Sequence, residues 1–413
     1  MNTPPRPPTL INTASYPSEF VQVIQEKSQN FVGREFIFTA ITNFLDRYNR
    51  GYFTIVGAPG SGKSAILAKY VTENPHLVYY NAQIEGKNRA EEFLTTICTE
   101  LIRHYPNAGK QYYSSTNAIA SGAALRAIAL PDKATEGSWF LSLLLQKISD
   151  QLEPHQRLMI AIDGLCTIDI KSQFPGSNLF YLPRYLPDKV YFLLTRRPFL
   201  REKSGLLIEA PSQTLDLAEY PEQNREDVQA YIQRYLTPLT PLPYQGRGEQ
   251  DSPPLAGEGL GERSSDQEFI ARLTAASENN FMYLSQILPA IAEGFYPKPF
   301  QFVEMLHTTS LVPPGLVAYY QSHWQKMKGQ GLSRVALGVL RVLVDPPQTP
   351  LKKGGGVSAE DIAQTIDEDE FDIEEVLENW LEFLHLERIE GKTRYSLYHS
   401  SFCNWLSQQL NAA

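Results

Sequence analysis

The sequence predicts an α/β protein in three parts: a parallel-sheet core, an all-helical unit after it, and a winged-helix domain at the end. Three observations predict this. Continuous apolar runs alternate with helical periodicity up to about residue 218, the pattern of βαβ units. From Asn224 onward the strand-like runs stop and the chain turns helical. After Pro313, helical stretches lead into two strand-like runs turned by Gly391-Lys392-Thr393, and a last helix, Ser401 to Leu410, follows.

Taken in order, residues 1–30 form a flexible N-terminal segment, rich in Pro, Thr, Ser and Asn, with a short helix over Ser18 to Ser28. Phe36 to Tyr48 places Phe38, Ile41, Phe44 and Leu45 at helical spacing. Strands follow at Phe53 to Val56, Leu77 to Asn81, Leu158 to Asp163, Val190 to Thr195 and, as an edge, Gln213 to Leu217. Helices are expected over Arg89 to Tyr105 and Gly137 to Leu152 between them. The helical unit then reads as Asp227 to Tyr235, Gln267 to Ser277, Phe281 to Glu293 and Phe300 to His307. In the last part, helices fit Leu316 to Met327, Ser333 to Val344, Ala359 to Thr365 and Ile373 to Leu384. Two stretches, 237–265 and 346–356, are dense in Pro and Gly and bury too little apolar surface to offset ordering them.

The most informative stretch is Tyr52 to Ala65. After an apolar strand comes Gly57-Ala58-Pro59-Gly60-Ser61-Gly62-Lys63-Ser64, then Ala65 and a helix-forming run. This fits G-x-x-x-x-G-K-[ST] in the strand–loop–helix context that the motif requires. The glycines let backbone N–H groups approach phosphate oxygens, and the helix N-terminus adds partial positive charge. Lys63 is placed to reach the β- and γ-phosphates and Ser64 to ligate Mg²⁺. The chain is therefore expected to bind a nucleoside tri- or diphosphate. In a parallel sheet, ligands sit at the carboxyl ends of the strands. That puts Asp163 and Thr195-Arg196-Arg197 on the same rim as the loop. Asp163 is the candidate second Mg²⁺ ligand, against the plainer reading of a turn cap. A guanidinium at the fourth strand's end is a candidate clamp on the γ-phosphate. Hydrolysis also needs a group that positions or deprotonates water. No carboxylate follows Asp163 until Asp169. His399, alone after the hairpin, reads from the residues as structural.

Composition narrows the classes. A net charge of −9 offers no global field for nucleic acid or anionic lipid, and acids cluster near the hairpin. The three cysteines, Cys98, Cys166 and Cys403, have no metal-ligand spacing and read as free thiols of a reducing cytoplasm. No apolar run has the length needed to span a bilayer, and the start has no secretory signal.

Together these residues resemble the STAND class of P-loop NTPases, especially the NACHT-like, AAA-type ATPases of bacteria, over about residues 31–410. Phe31-Val32-Gly33-Arg34-Glu35 is similar to that class's hh-GR-E signature. Gly57 to Ser64 matches its Walker A loop, and Ile162-Asp163-Gly164-Leu165 the start of its Walker B strand. Leu193-Leu194-Thr195-Arg196-Arg197-Pro198 resembles its T-S-R-P sensor. Asn279-Asn280-Phe281-Met282-Tyr283-Leu284 and Leu397-Tyr398-His399-Ser400-Ser401-Phe402 are similar to its lid-helix and winged-helix segments. The resemblance implies a P-loop NTPase domain over 31–218, a helical lid domain over 219–311 and a winged-helix domain over 312–413. It implies ATP/ADP and Mg²⁺ as ligands, with Val32, Gly33 and Arg34 around the base and ribose. Gly57, Ala58, Pro59, Gly60, Ser61, Gly62, Lys63, Ser64 and Ala65 would hold the phosphates. His399 would touch the ADP β-phosphate, and Lys63, Asp163 and Arg197 would serve catalysis. Where the class has Asp-Glu after DGL, this chain has Cys166-Thr167, so its usual catalytic acid is replaced.

The expected function is a cytoplasmic, nucleotide-dependent signalling or assembly switch. Its hydrolysis is slow or absent, and it self-associates or binds protein partners in the ATP state. The alternatives are a DNA-binding AAA-type ATPase of the origin-recognition kind, which the acidic balance argues against, and a nucleotide-binding scaffold without enzymatic activity.

Overall fold

The computed structural model describes residues 16–112, 128–200, 204–236, 258–293, 313–346, 356–389 and 391–412. The expected helix Phe300 to His307, most of 346–356 and residues 237–257 lie outside the described residues. Two compact units divide the chain, Met1–Gly57 with Lys63–Leu217, and Ala58–Gly62 with Ala218–Ala413.

The first unit opens with α1 (Ser18–Ser28) and α2 (Glu35–Arg47). Helix α2 buries Ile37, Ile41, Phe44 and Leu45, one stripe at helical period. Its N-cap, Arg34, lies in the left-handed region at φ 71°, uncommon for a side chain of this size. Five strands make one sheet: β1 (Gly51–Val56), β2 (Val78–Asn81), β3 (Leu158–Asp163), β4 (Val190–Arg196) and β5 (Ser212–Asp216). Their order is β2-β3-β4-β1-β5, and every pairing is parallel. Strand β1 is buried along its whole length, which explains its unbroken apolar run: a central parallel strand is covered on both faces. Helices α3 (Lys63–Glu73), α4 (Ala90–His104) and α5 (Trp139–Ser149) supply crossovers. The core is rich in ring contacts. Tyr52 stacks on Phe192 with centroids 5.0 Å apart, and Phe93 on Phe180 at 4.4 Å.

In the second unit, α6 (Pro221–Leu236), α7 (Glu258–Ser277) and α8 (Phe281–Ala292) share one core through Val228, Ile232, Leu273 and Leu284. Helix α7 begins inside the stretch expected to lack structure. Once Gln267 to Ser277 is helical, adding turns at its N-terminus needs no new nucleus. The same core continues into α9 (Pro314–Lys328), α10 (Arg334–Val344), α11 (Ala359–Ile366) and α12 (Glu370–Asn379). Helix α11 starts with a reciprocal capping box between Ser358 and Asp361. The expected Ile373 to Leu384 helix instead ends at Asn379, and Leu384 already opens the hairpin β6 (Leu384–Ile389) and β7 (Lys392–Leu397). Helix α13 (Ser400–Ala412) follows. Among the described residues, no helix is long and apolar enough to cross a membrane.

Candidate functional site

Parallel pairing sets the rim of the sheet in register. Val56 lies opposite Arg196 on one side and Asp216 on the other, and Asn81 lies opposite Asp163. The carboxyl ends of all five strands therefore converge where β1 runs into the glycine loop. Gly57 N–H donates to the Arg196 carbonyl at 3.3 Å, which anchors the loop's first residue to β4. Lys63, Ser64 and Ala65 are the first residues of α3, so their N–H groups belong to the helix end that carries partial positive charge.

Lys63 Nζ donates to the Gly57 carbonyl at 2.7 Å, so the ammonium turns back beneath the loop. Burial, with the nearby Arg197 charge adding to it, lowers the Lys63 pKa to about 8. The residue keeps part of its surface, yet its charged end is the desolvated part. Arg197 is thus close enough to Lys63 to act on its charge. Arg196 points elsewhere: it donates to the Ser204 carbonyl at 3.0 Å and lies 3.5 Å over the Phe199 ring. Burial lowers its pKa to about 10. Of the adjacent pair, Arg197 is therefore the one whose charge acts on the loop lysine, and it acts by repulsion.

Asp163 is almost fully buried, and burial raises its pKa. Several side chains hold its carboxylate, Ser64 among them. Thr195 Oγ1 donates to Oδ1, while Asn81 Nδ2 at 3.4 Å and Gln83 Nε2 at 3.3 Å donate to Oδ2. The same Gln83 Nε2 lies 3.2 Å from Ser64 Oγ. Two hard oxygen donors, Ser64 and Asp163, therefore face one point, the donor set that suits Mg²⁺ when phosphates and waters complete the octahedron. Among the described residues, no group of three or more His, Cys, Asp or Glu could hold a metal. The site therefore fits an ion shared with a phosphate ligand better than a protein-only cage.

The positions where an acid is missing have structural work. Thr167 Oγ1 donates to the carbonyls of Ala82 and Gly164. Asp169 accepts the Lys171 N–H at 3.1 Å and caps a short turn.

Before α2, Phe31 packs its ring 5.8 Å from Phe38, which lies 6.1 Å from Tyr70 of α3. Val32, Gly33 and the buried Arg34 are thus held beside the helix that starts at Lys63.

In the second unit, loop residues Ala58–Gly62 meet the start of α8. The N–H groups of Phe281 and Met282 both donate to the Gly60 carbonyl, at 2.8 and 3.2 Å. Asn280 Nδ2 donates to the Pro59 carbonyl at 3.2 Å. Gly60, at φ +81°, is obligatory: a Cβ there would stand 2.1 Å from Asn280 Oδ1.

His399 has other partners than those expected of it. Its Nε2 lies 3.0 Å from the Ser277 carbonyl, and its Nδ1 accepts the Ser401 N–H at 3.1 Å. That pattern defines a neutral imidazole protonated at Nε2, and burial lowers its pKa. Tyr283 packs on its ring at 4.7 Å. In this arrangement no N–H of His399 is left for a phosphate. Reading the sequence alone missed Asn81 and Gln83. Their signal, polar residues at the carboxyl end of a buried strand, is too common to single them out.

Residues 30–194 match the family described as AAA ATPase domain. No curated protein matches the sequence. Among solved structures, the chain is similar to the Walker-type ATPase PABY2304 of Pyrococcus abyssi, at 13% identity and a TM-score of 0.51, covering 98% of this chain and 99% of that one. It also aligns with the Drosophila ORC bound to DNA, at 12% identity and TM-score 0.36, covering 95% and 99%. A third alignment is to a RuvB variant of Thermotoga maritima, at 11% identity and TM-score 0.31, covering 90% and 94%. Over residues 30–194 the chain is thus similar to an AAA ATPase domain, and its phosphate-loop sequence, parallel sheet and neighbouring Ser64 and Asp163 accord with a P-loop ATPase fold.

Proposed function

We propose that the chain is a STAND-type switch that binds ATP and ADP and hydrolyses ATP slowly, driving signalling or assembly through its nucleotide state. One observation supports this: Ser64 and Asp163 share Gln83 as a partner beside an intact phosphate-loop sequence, while Thr167 and Asp169, where a catalytic acid would be sought, are tied into backbone contacts. In this reading the backbone of residues 57–65 cradles the phosphates, Lys63 binds the β- and γ-phosphates, and Arg197 clamps the γ-phosphate. Ser64 and Asp163 hold Mg²⁺, which neutralises charge on the phosphate oxygens when bound. Val32, Gly33 and Arg34 flank the base and ribose. The elements over 219–311 act as a helical lid and those over 312–413 as a winged helix. His399 pins the second to the first through the Ser277 carbonyl.

A ligand shifts a conformational equilibrium only by its difference in affinity for the two states. The test therefore compares nucleotides as well as variants. Fluorescent ATP and ADP are titrated into wild type and Lys63→Ala, and molar mass is measured by light scattering with each nucleotide and Mg²⁺. Wild type is expected to bind both, Lys63→Ala to bind about tenfold or more weakly, and mass to rise with ATP alone. No binding by wild type sinks the nucleotide reading. Binding with the same mass in both states leaves a scaffold. Salt-dependent retention of duplex DNA would favour the DNA-binding AAA-type reading instead.

A further inference from the structure

We propose that Gln83 orients the attacking water in nucleoside-triphosphate hydrolysis, in place of the acid that this chain lacks. The inference rests on the nucleotide-binding reading above and names the residue that makes slow hydrolysis possible. Gln83 follows β2, the strand paired with β3. Its Nε2 is within hydrogen-bond distance of both Ser64 Oγ and Asp163 Oδ2. A carboxylate oxygen only accepts, so the amide presents its nitrogen there; an ion taken up by the same two oxygens displaces that nitrogen and leaves the amide beside the site, with Oε1 as an acceptor for water. The residue is exposed, as a group that meets substrate at the sheet's rim has to be.

The position of Gln83 is set by its surroundings. Its N–H donates to Asn81 Oδ1 at 2.8 Å, Ala82 N–H donates to the Asp163 carbonyl at 2.9 Å, and Thr167 Oγ1 donates to the Ala82 carbonyl at 2.9 Å. The turn after β2 is therefore stitched to the segment after β3. Gly164, at φ +78°, completes the seat: a Cβ there would lie 2.5 Å from Gln83 Cγ. The glycine that follows Asp163 leaves room for the glutamine to lie across the end of β3. Asp163 itself is buried and held by Thr195, Asn81 and Gln83, so it is not a group poised to take a proton from water.

In the proposed step, the Gln83 Oε1 accepts a hydrogen bond from water and turns a lone pair toward the γ-phosphorus. A bond forms from the water oxygen to that phosphorus. The bond to the β–γ bridging oxygen breaks, and its electron pair leaves with the nucleoside diphosphate. An amide has no useful basicity, so the water's proton passes to a phosphate oxygen, giving inorganic phosphate. Glutamine plays this water-orienting part in GTPases.

The test uses the full chain and measures two quantities separately: the single-turnover rate with protein in excess over Mg²⁺-ATP, and the Kd for fluorescent ATP with and without Mg²⁺. Lys63→Ala provides the background. Gln83→Ala is expected to slow the single-turnover rate about tenfold or more and leave Kd within about threefold of wild type. Gln83→Glu is expected to gain a rate that rises with pH through the carboxylate range, because a carboxylate can take the proton. A Gln83→Ala rate equal to wild type overturns the proposal. So does a loss seen equally in Kd, which would make Gln83 a binding residue. A wild type that binds ATP but hydrolyses it no faster than Lys63→Ala overturns it too, and leaves the nucleotide-binding reading standing. Failure of wild type to bind any nucleotide overturns both.

Discussion

Asn280 makes a sharp prediction because the backbone donors around it can be fully accounted for. A helix leaves its first four N–H groups without intrahelical partners. At the start of α8 these belong to Asn280, Phe281, Met282 and Tyr283. Asn280 N–H donates to the Ser277 carbonyl at 2.7 Å, Phe281 and Met282 share the Gly60 carbonyl, and Tyr283 N–H donates to Asn280 Oδ1 at 3.0 Å. Substitution Asn280→Ala removes the cap, worth about 1 kcal/mol. It also orphans the Pro59 carbonyl, for about 1 kcal/mol more. The expected loss is about 2 kcal/mol from the C-terminal unit. Asn280→Asp separates the two causes. It keeps the accepting oxygen and adds negative charge at a helix N-terminus, but loses the donor to Pro59. Its stability loss should stay below about 1 kcal/mol, while its nucleotide affinity falls alongside that of Asn280→Ala, since residues 58–62 lose the same anchor. Urea unfolding followed by tryptophan fluorescence reads this unit, which holds Trp324, Trp380 and Trp405 against Trp139 alone in the other. A loss below about 0.5 kcal/mol in Asn280→Ala, or equal losses in the two variants, would refute the capping account.

Two further outcomes are expected. Burial holds the His399 pKa below its unfolded value, with Glu278 opposing the shift, so the unfolded chain takes the proton first as pH falls. Stability is then fully present above about pH 6.5 and lost below it toward the folded pKa, at no more than about 1.4 kcal/mol per pH unit. Urea midpoints between pH 7.5 and 5 should therefore fall more steeply in wild type than in His399→Asn, and parallel slopes would exclude the neutral, buried imidazole. Tyr52 donates to the Pro183 carbonyl at 2.6 Å from a fully buried position. Tyr52→Phe strands that carbonyl and should cost the N-terminal unit about 1–2 kcal/mol, read by Trp139 fluorescence, whereas an unchanged midpoint would mean that water replaces the hydroxyl.

Whether a feature could be read from the sequence depended on whether its cause was local. The strands β1, β3 and β4 were readable because a strand covered on both faces leaves an unbroken apolar run. The loop was readable because glycine, lysine and serine spacing is itself the phosphate geometry. Asp163 and Arg197 followed from those two facts, since parallel strands bring their carboxyl ends to one rim. Gln83 was not readable this way. It approaches Asp163 across 80 residues of chain, through the pairing of β2 with β3, and nothing in Asn81-Ala82-Gln83 announces that pairing. The partners of His399 were hidden for the same reason: the Ser277 carbonyl is 122 positions away.

The same contrast bears on function. The missing acid is a local fact, read directly from Cys166-Thr167, and taken alone it predicts a site that binds without turnover. The glutamine that lies beside Ser64 and Asp163 changes that expectation, because water can be aligned without a base. In the proposed step an aligned water that has to give its proton to the phosphate reacts slowly, which would let the triphosphate state persist after binding. For a switch, that persistence is useful: the lifetime of the bound triphosphate, rather than the rate of turnover, sets how long an assembled state lasts. If so, restoring a carboxylate with Gln83→Glu should shorten the ATP-dependent assembly as it speeds the chemistry. A variant that hydrolyses faster but stays assembled as long would separate the chemistry from the switch.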